Sequence, residues 1–155
     1  MAAREKFVPR IAILVCAVAV FLLPEHVRPQ GQAAEETVPA FHSAPPRGAV
    51  PDTLSPALFG NVIVQNAYAL AAKVKKILYQ EPCYCHCDRS QGHESLLDCF
   101  AGRHGSECSV CIREALYTYE QTQKGKTASQ IRNGIQHGEW QQVDLSKYQT
   151  PPAGL

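Results

Sequence analysis

The chain has 155 residues and a formal net charge of +1, so a single folded domain is expected and a strongly basic nucleic-acid-binding surface is excluded. Six of the seven cysteines lie between residues 83 and 111, which marks one local feature. The sequence has no catalytic triad and no phosphate-binding loop, so an enzymatic activity is not predicted.

The first segment, residues 1–34, has the pattern of a signal peptide or an N-terminal anchor. Basic residues precede an apolar run over residues 11–23, and its thirteen residues suit a signal peptide. A membrane span needs about 20 residues. We place cleavage after Ala33 or Ala34; the alternative is an uncleaved run that tethers the protein to a membrane. In both cases the rest of the chain is predicted to be exported, to the periplasm or to the outer side of the membrane.

The next segment, residues 35–54, is expected to be a disordered linker. It is rich in proline, which removes backbone donors and blocks regular pairing. The folded domain is then expected to cover residues 55–148, and residues 149–155 are expected to form a loose tail.

The predicted fold class is mainly α: a small domain of about three helices with a cysteine-rich loop. The first helix is expected to open at Ser55 and Pro56, because serine can cap a helix and proline suits the first helical position. Apolar residues then recur at helical spacing, and the helix is expected to end before Pro82.

Two further helices are predicted after the cysteine-rich loop. One follows Ser106 and covers about residues 107–123. The other opens with Thr127 and Gln130, which form a capping-box pattern, and ends at Gly138. The apolar stripes of these helices are thin, and so small a core often needs crosslinks or a metal ion.

The cysteine-rich loop is the candidate functional site. Its spacing is C-x-C-x-C, then a cysteine after eleven residues, then C-x-x-C after eight. Alternate residues of an extended chain share one face, so the first three thiols are expected to converge. The C-x-x-C pair is expected at the start of the second helix, where free N–H groups favour thiolates. The predicted metal ligands are Cys83, Cys85, Cys87, Cys99, Cys108 and Cys111, with His93 and His104 as helpers.

Three functions fit this pattern. The first is a metal–thiolate site for binding, storage or delivery, with Cu(I) as the expected metal and Zn(II) as the alternative. The second is a disulfide-stapled interaction module without metal, which is the usual reading of clustered cysteines in an exported protein. The third is a thiol–disulfide oxidoreductase that uses Cys108 and Cys111. The expected partners of the metal site are the ion and a protein that donates or accepts it, with no nucleic acid.

The segment Pro82-Cys83-Tyr84-Cys85-His86-Cys87 resembles the bacterial family named for its PCYCGC motif. The resemblance covers roughly residues 66–138. It implies an exported or lipid-anchored protein of unassigned function with the cysteine cluster at its centre. Two departures are His86, where the family name has glycine, and the absence of a lipid-attachment cysteine. The resemblance extends through Gly92-His93, Asp98-Cys99-Phe100, His104-Gly105 and Cys108-x-x-Cys111.

Overall fold

A computed structural model describes residues 37–153, and the regular structure of this part of the chain is helical, with no β-strand. The mainly α fold class is therefore confirmed. The predicted signal or anchor segment, residues 1–34, lies outside the described residues. The helices are α1 (Val62–Lys73), α2 (Lys75–Leu78), α3 (Cys87–Gln91), α4 (Leu96–Ala101), α5 (His104–Glu107), α6 (Ser109–Gln123) and α7 (Ala128–Gln136), with 3₁₀ turns at Pro56–Leu58, Glu139–Gln142 and Leu145–Tyr148.

The first helix begins later than Ser55, so that prediction is wrong. Ser55 precedes only a 3₁₀ turn, and its side chain makes no capping hydrogen bond. Phe59 is extended and buried, where its ring lies 4.2 Å from the ring of Tyr68. Burial of this ring goes with an extended backbone at Phe59, so α1 begins only after Asn61. The side-chain oxygen of Asn61 caps α1 by accepting from the N–H groups of its second and third residues.

The second predicted helix is α6, and it begins at Ser109 rather than near residue 107. Cys108 has extended backbone angles and takes the N-cap position, while Ser106 belongs to the short helix α5. α1 packs along α6, and the shared core includes Ala115 and Leu116, which are fully buried. α6 is therefore the central element on which the other helices pack.

The third predicted helix is confirmed as α7. The Thr127 hydroxyl accepts from the N–H of Gln130, and the Gln130 side chain accepts from the N–H of Thr127, which completes the capping box. Ile131 and Ile135 are buried against the core. Gly138, with φ of 73°, ends the helical path in the left-handed region where glycine is favoured.

The segment predicted as a linker contains no helix or strand in residues 37–54, and it makes specific contacts with the domain. The side chain of Pro39 is fully buried, and the His42 ring stacks on Tyr79 with centroids 3.8 Å apart. The N–H of Leu54 donates to the carbonyl of Phe100 at 2.9 Å. Proline blocks regular structure here, but Val50 and Leu54 still pack against the hydrophobic core.

The predicted tail, residues 149–155, is attached to the domain at Thr150, next to the last residue of the predicted domain, Tyr148. The buried side-chain amide of Asn66 donates to the carbonyls of Tyr148 and Thr150 at 3.0 and 2.8 Å. Within residues 37–153, every helix is too short or too polar to span a lipid bilayer.

Replacing Asn61 with alanine should lower the free energy of unfolding by about 1 kcal/mol, because it removes the acceptor for two N–H groups of α1. Replacing Ser55 with alanine is the matched control and should cost less than half as much, since its side chain caps nothing. Urea unfolding of the reduced, metal-free chain measures both. An equal loss for the two variants would contradict the observed start of α1.

Candidate metal centre

The fold brings together cysteines from separate chain segments. Cys83 and Cys85 lie in the turn after α2, and Cys87 is the first residue of α3. Cys99 lies in α4, while Cys108 caps α6 and Cys111 is the third residue of that helix. All six thiols are free, and Cys83, Cys87, Cys99 and Cys111 are buried in the hydrophobic core.

The tripled-cysteine segment is a turn, so the expectation of an extended chain is wrong. The N–H of His86 donates to the carbonyl of Cys83 at 3.0 Å. His86 has φ of 55°, and it is the one non-glycine residue with positive φ among those the structure describes. The turn leads into α3, yet the three sulfurs still converge, because the Sγ atoms of Cys83, Cys85 and Cys87 lie within 4.8 Å of one another.

The first set of potential ligands, called the inner group, consists of Cys83, Cys85, Cys87 and Cys99. Its four Sγ atoms all lie within 4.8 Å of one another. Cys83 and Cys85 are 3.3 Å apart, and so are Cys87 and Cys99. Three of the four side chains are buried, and only Cys85 is partly exposed.

The second set, called the outer group, consists of Cys85, His104, Cys108 and Cys111. Its ligand atoms also lie within 4.8 Å of one another. The Sγ atom of Cys85 is 3.6 Å from Nε2 of His104 and 3.6 Å from Sγ of Cys111. Three of these four side chains are partly exposed, so the outer group lies nearer the surface. Cys85 belongs to both groups.

His93 lies beside the inner group without belonging to either set of four. Its Nδ1 atom is 3.3 Å from the sulfur of Cys99, and its ring meets that of His104 edge-on at 5.3 Å. Burial lowers the pKa of His93, which favours the neutral ring. A neutral ring can donate to the Cys99 sulfur or ligate an ion, and its role as a helper stays a prediction.

The closest sulfur pairs are too far apart to be bonded and close enough to share an ion. The shortest distances between Sγ atoms in the two groups are 3.3 to 3.6 Å, whereas a disulfide bond is about 2.0 Å long. Two thiolates on one tetrahedral Zn(II), each at about 2.3 Å from the metal, lie about 3.8 Å apart. The spacing therefore resembles that of metal ligands.

Cys85 is the sulfur that most readily carries negative charge. The thiols of Cys111 and Cys83 lie next to it and donate to its thiolate, which holds the pKa of Cys85 well below its ordinary value. Hydrogen bonds from Cys83 to Cys111 and to Cys85 raise the pKa of Cys83. A thiolate surrounded by thiol donors is the state from which a metal ion displaces protons.

Backbone hydrogen bonds to an acidic side chain position the segment that carries Cys99. One carboxylate oxygen of Asp98 accepts from the N–H groups of Glu94 and Ser95 at 2.8 and 3.1 Å, which begins α4 next to Cys99. Asp98 thus completes a capping box with Ser95 at the start of α4.

Sequence reasoning missed two buried carboxyl groups beside the site, Glu81 and Glu114. One oxygen of Glu114 accepts from the N–H of Tyr84 at 2.8 Å and so supports the cysteine turn. The other, and both oxygens of Glu81, have no hydrogen-bond partner among residues 37–153. Burial raises the pKa of Glu81 to about 9 and that of Glu114 to about 8. One available signal was that Glu114 follows Cys111 by three residues, on the same face of a helix.

The fold and the site define a small helical protein with a cysteine- and histidine-rich centre whose groups are placed to hold a metal ion. A family model described as a protein of unknown function with PCYCGC motif matches residues 51–151. The chain belongs to this family. No curated protein and no solved structure matches it.

The family motif explains the geometry of the cysteine turn. Its fifth letter, glycine, falls at His86, which has the left-handed backbone conformation that glycine adopts without steric cost. His86 therefore keeps the conformation expected of glycine at that position.

The backbone at His86 gives a testable order of stabilities. His86→Gly should leave the free energy of unfolding within about 1 kcal/mol of the parent chain, because relief of strain offsets the added backbone entropy. His86→Val should lower it by about 1–2 kcal/mol, since a β-branched side chain clashes in this conformation. Urea unfolding of the reduced chain gives both values. The reverse order would mean that the turn does not have this geometry.

The buried carboxyl of Glu81 should make the metal-free chain less stable as pH rises. Its pKa is about 9 when folded and 4.5 ordinarily, so the folded state holds a proton that the unfolded state has lost. The stabilisation is complete below pH 4.5 and is lost as pH rises towards 9, by at most about 1.4 kcal/mol per pH unit.

Glu81→Gln should flatten this pH dependence, because the amide does not titrate. Urea unfolding between pH 5 and pH 7.5, with a thiol reductant present, measures the slope for the parent chain and the variant. Glu107→Gln changes an exposed carboxylate and is the matched control. An unchanged slope in Glu81→Gln would show that Glu81 is ionised in the folded chain.

Proposed function

We propose that this protein is an exported metal-binding protein that uses its cysteine cluster to bind, store or deliver a thiolate-preferring ion, with Cu(I) as the expected metal and Zn(II) as the alternative. The observation that supports it is the convergence of six cysteine sulfurs and the His104 ring into two overlapping groups of four potential ligands. Soft sulfur ligands select such ions over oxygen-preferring ones.

A metal site accounts for more of the geometry than a disulfide framework does. A stapled domain needs cysteines in pairs, with each pair far from the next. Here the Sγ atom of Cys83 lies 3.3 Å from that of Cys85 and 3.4 Å from that of Cys111, so one sulfur has two neighbours at nearly the same distance. The imidazole nitrogen of His104 at 3.6 Å from Cys85 has no use in a disulfide.

The choice of metal depends on ligand number. Each group of four matches the ligand sets of tetrahedral zinc, four cysteines in one case and three cysteines with a histidine in the other. Cu(I) is favoured by the dense run of thiols and by the proposed export, since copper handling is a common task outside the cytoplasm. Delivery would proceed through the outer group, because His104 and Cys108 are partly exposed.

The location is also part of the proposal. Export would be directed by residues 1–34, and an uncleaved apolar run at residues 11–23 would hold the domain at a membrane. The partner would then be a protein that donates or accepts the metal ion at the same membrane face.

Metal binding is tested with the full-length chain under anaerobic, reducing conditions. The chain is offered Cu(I) in competition with a chromophoric Cu(I) chelator, and Zn(II) in a parallel titration. We expect it to retain metal and to lose reactive thiols in proportion. Cys85→Ser, which removes the sulfur common to both groups, should weaken binding by about 10-fold or more.

His137→Ala is the matched control for loss of a histidine, because this exposed side chain follows α7, belongs to neither group of ligands, and hydrogen-bonds to the backbone carbonyl of Asn133. It should bind metal as the parent chain does. The proposal fails if the reduced parent chain retains neither ion. Isolation of the chain with no reactive thiols before reduction would favour the disulfide-stapled module instead.

A further inference from the structure

The two groups of ligands cannot serve a single ion. Together they contain seven potential ligand atoms, from six cysteines and His104, and a tetrahedral ion uses four. An ion in the inner group would leave His104, Cys108 and Cys111 unused, although they lie together within reach of a second ion. The arrangement therefore has room for two ions.

Cys85 lies between the two groups. Its sulfur is 3.3 Å from Cys83 on the inner side, and 3.6 Å from both Cys111 and the His104 nitrogen on the outer side. A thiolate sulfur has several lone pairs and can bind two soft ions at once. No other residue is a member of both groups within the described part of the chain.

The surroundings of the two groups differ. Cys83, Cys87 and Cys99 have at most 2% of their surface exposed, so an ion among them is closed off from water. In the outer group, His104 and Cys108 are partly exposed, and one ligand is an imidazole instead of a thiolate. An outer ion is therefore more accessible to a competing ligand.

We infer that the protein holds two thiolate-bound metal ions that share the Cys85 sulfur: a closed inner ion with four cysteine ligands, and an exchangeable outer ion with three cysteines and His104. This rests on the proposed metal-binding function and adds the number of ions, the bridging atom and the difference in exchange. The outer ion is the one that a partner would remove first, and the inner ion would remain as part of the fold.

The test uses ¹¹³Cd(II), a spin-½ ion with the same preference for thiolates and tetrahedral sites. The reduced full-length chain is loaded with excess ¹¹³Cd(II), freed of unbound ion, and analysed for bound metal and by ¹¹³Cd NMR. We expect two ions per chain and two resonances of equal intensity. Each resonance should be split by the other, since coupling passes through a shared sulfur. A chelator should remove the resonance of the outer ion first.

Variants assign the resonances. His104→Ala combined with Cys108→Ser changes only partly exposed side chains and should remove the outer resonance while the inner one stays, without splitting. Cys85→Ser should abolish the splitting in every species that still binds metal. His137→Ala is the control and should give the spectrum of the parent chain. Far-UV circular dichroism verifies that each variant is folded.

The results separate this inference from the proposed function. Retention of a single ion, or of three or more, would overturn the two-ion site while metal binding stands. Two resonances without mutual splitting in the parent chain would overturn the shared sulfur. Failure to retain any Cd(II), Cu(I) or Zn(II) would overturn the proposed function itself.

Discussion

The structure depends on buried sulfur atoms that meet where the cysteine turn, α3, α4 and the start of α6 come together. Cys83, Cys87, Cys99 and Cys111 are part of the hydrophobic core as well as candidate ligands. Sulfur serves both purposes, since a protonated thiol packs as a small apolar group and a thiolate binds soft ions. A domain of this size has a limited core, so whatever joins these four residues also joins the helices that carry them.

The surrounding polar groups hold the ligand segments rather than the ligands themselves. Glu114 accepts from the backbone of Tyr84, and Asp98 accepts from the backbone just before α4. Both contacts fix a stretch of chain on which cysteines lie. Burial raises the pKa of Glu81 and of Glu114, which favours the neutral carboxyl forms and limits the negative charge beside a site rich in thiolates.

The third helix was predictable from the sequence because it depends on local interactions. The capping box at Thr127 and Gln130 and the apolar spacing of α7 involve residues within one turn of each other, so the sequence pattern was sufficient.

The wrong predictions arose where contacts between residues distant in sequence determine the backbone conformation. Burial of Phe59 against Tyr68 breaks the expected first helix, and the left-handed conformation of His86 turns a segment that alternation suggested was extended. The convergence of the thiols was predictable in outline, but their division into two groups was not, since Cys99 and Cys108 reach the turn only through the packing of helices.

The same packing links metal binding to folding under the proposed function. The inner ligands belong to three segments separated by up to sixteen positions in sequence, so an unfolded chain does not present them together. An ion bound there would stabilise the folded state to the extent that the folded chain binds it more tightly than the unfolded chain does. Of the outer ligands, His104 is the first residue of the short helix α5 and Cys108 is the residue that follows it, and both side chains are partly exposed. Under the inferred two-ion arrangement, the chain would give up the outer ion and stay folded around the inner one, and that property would distinguish a metal carrier from a protein in which metal serves only as a structural crosslink.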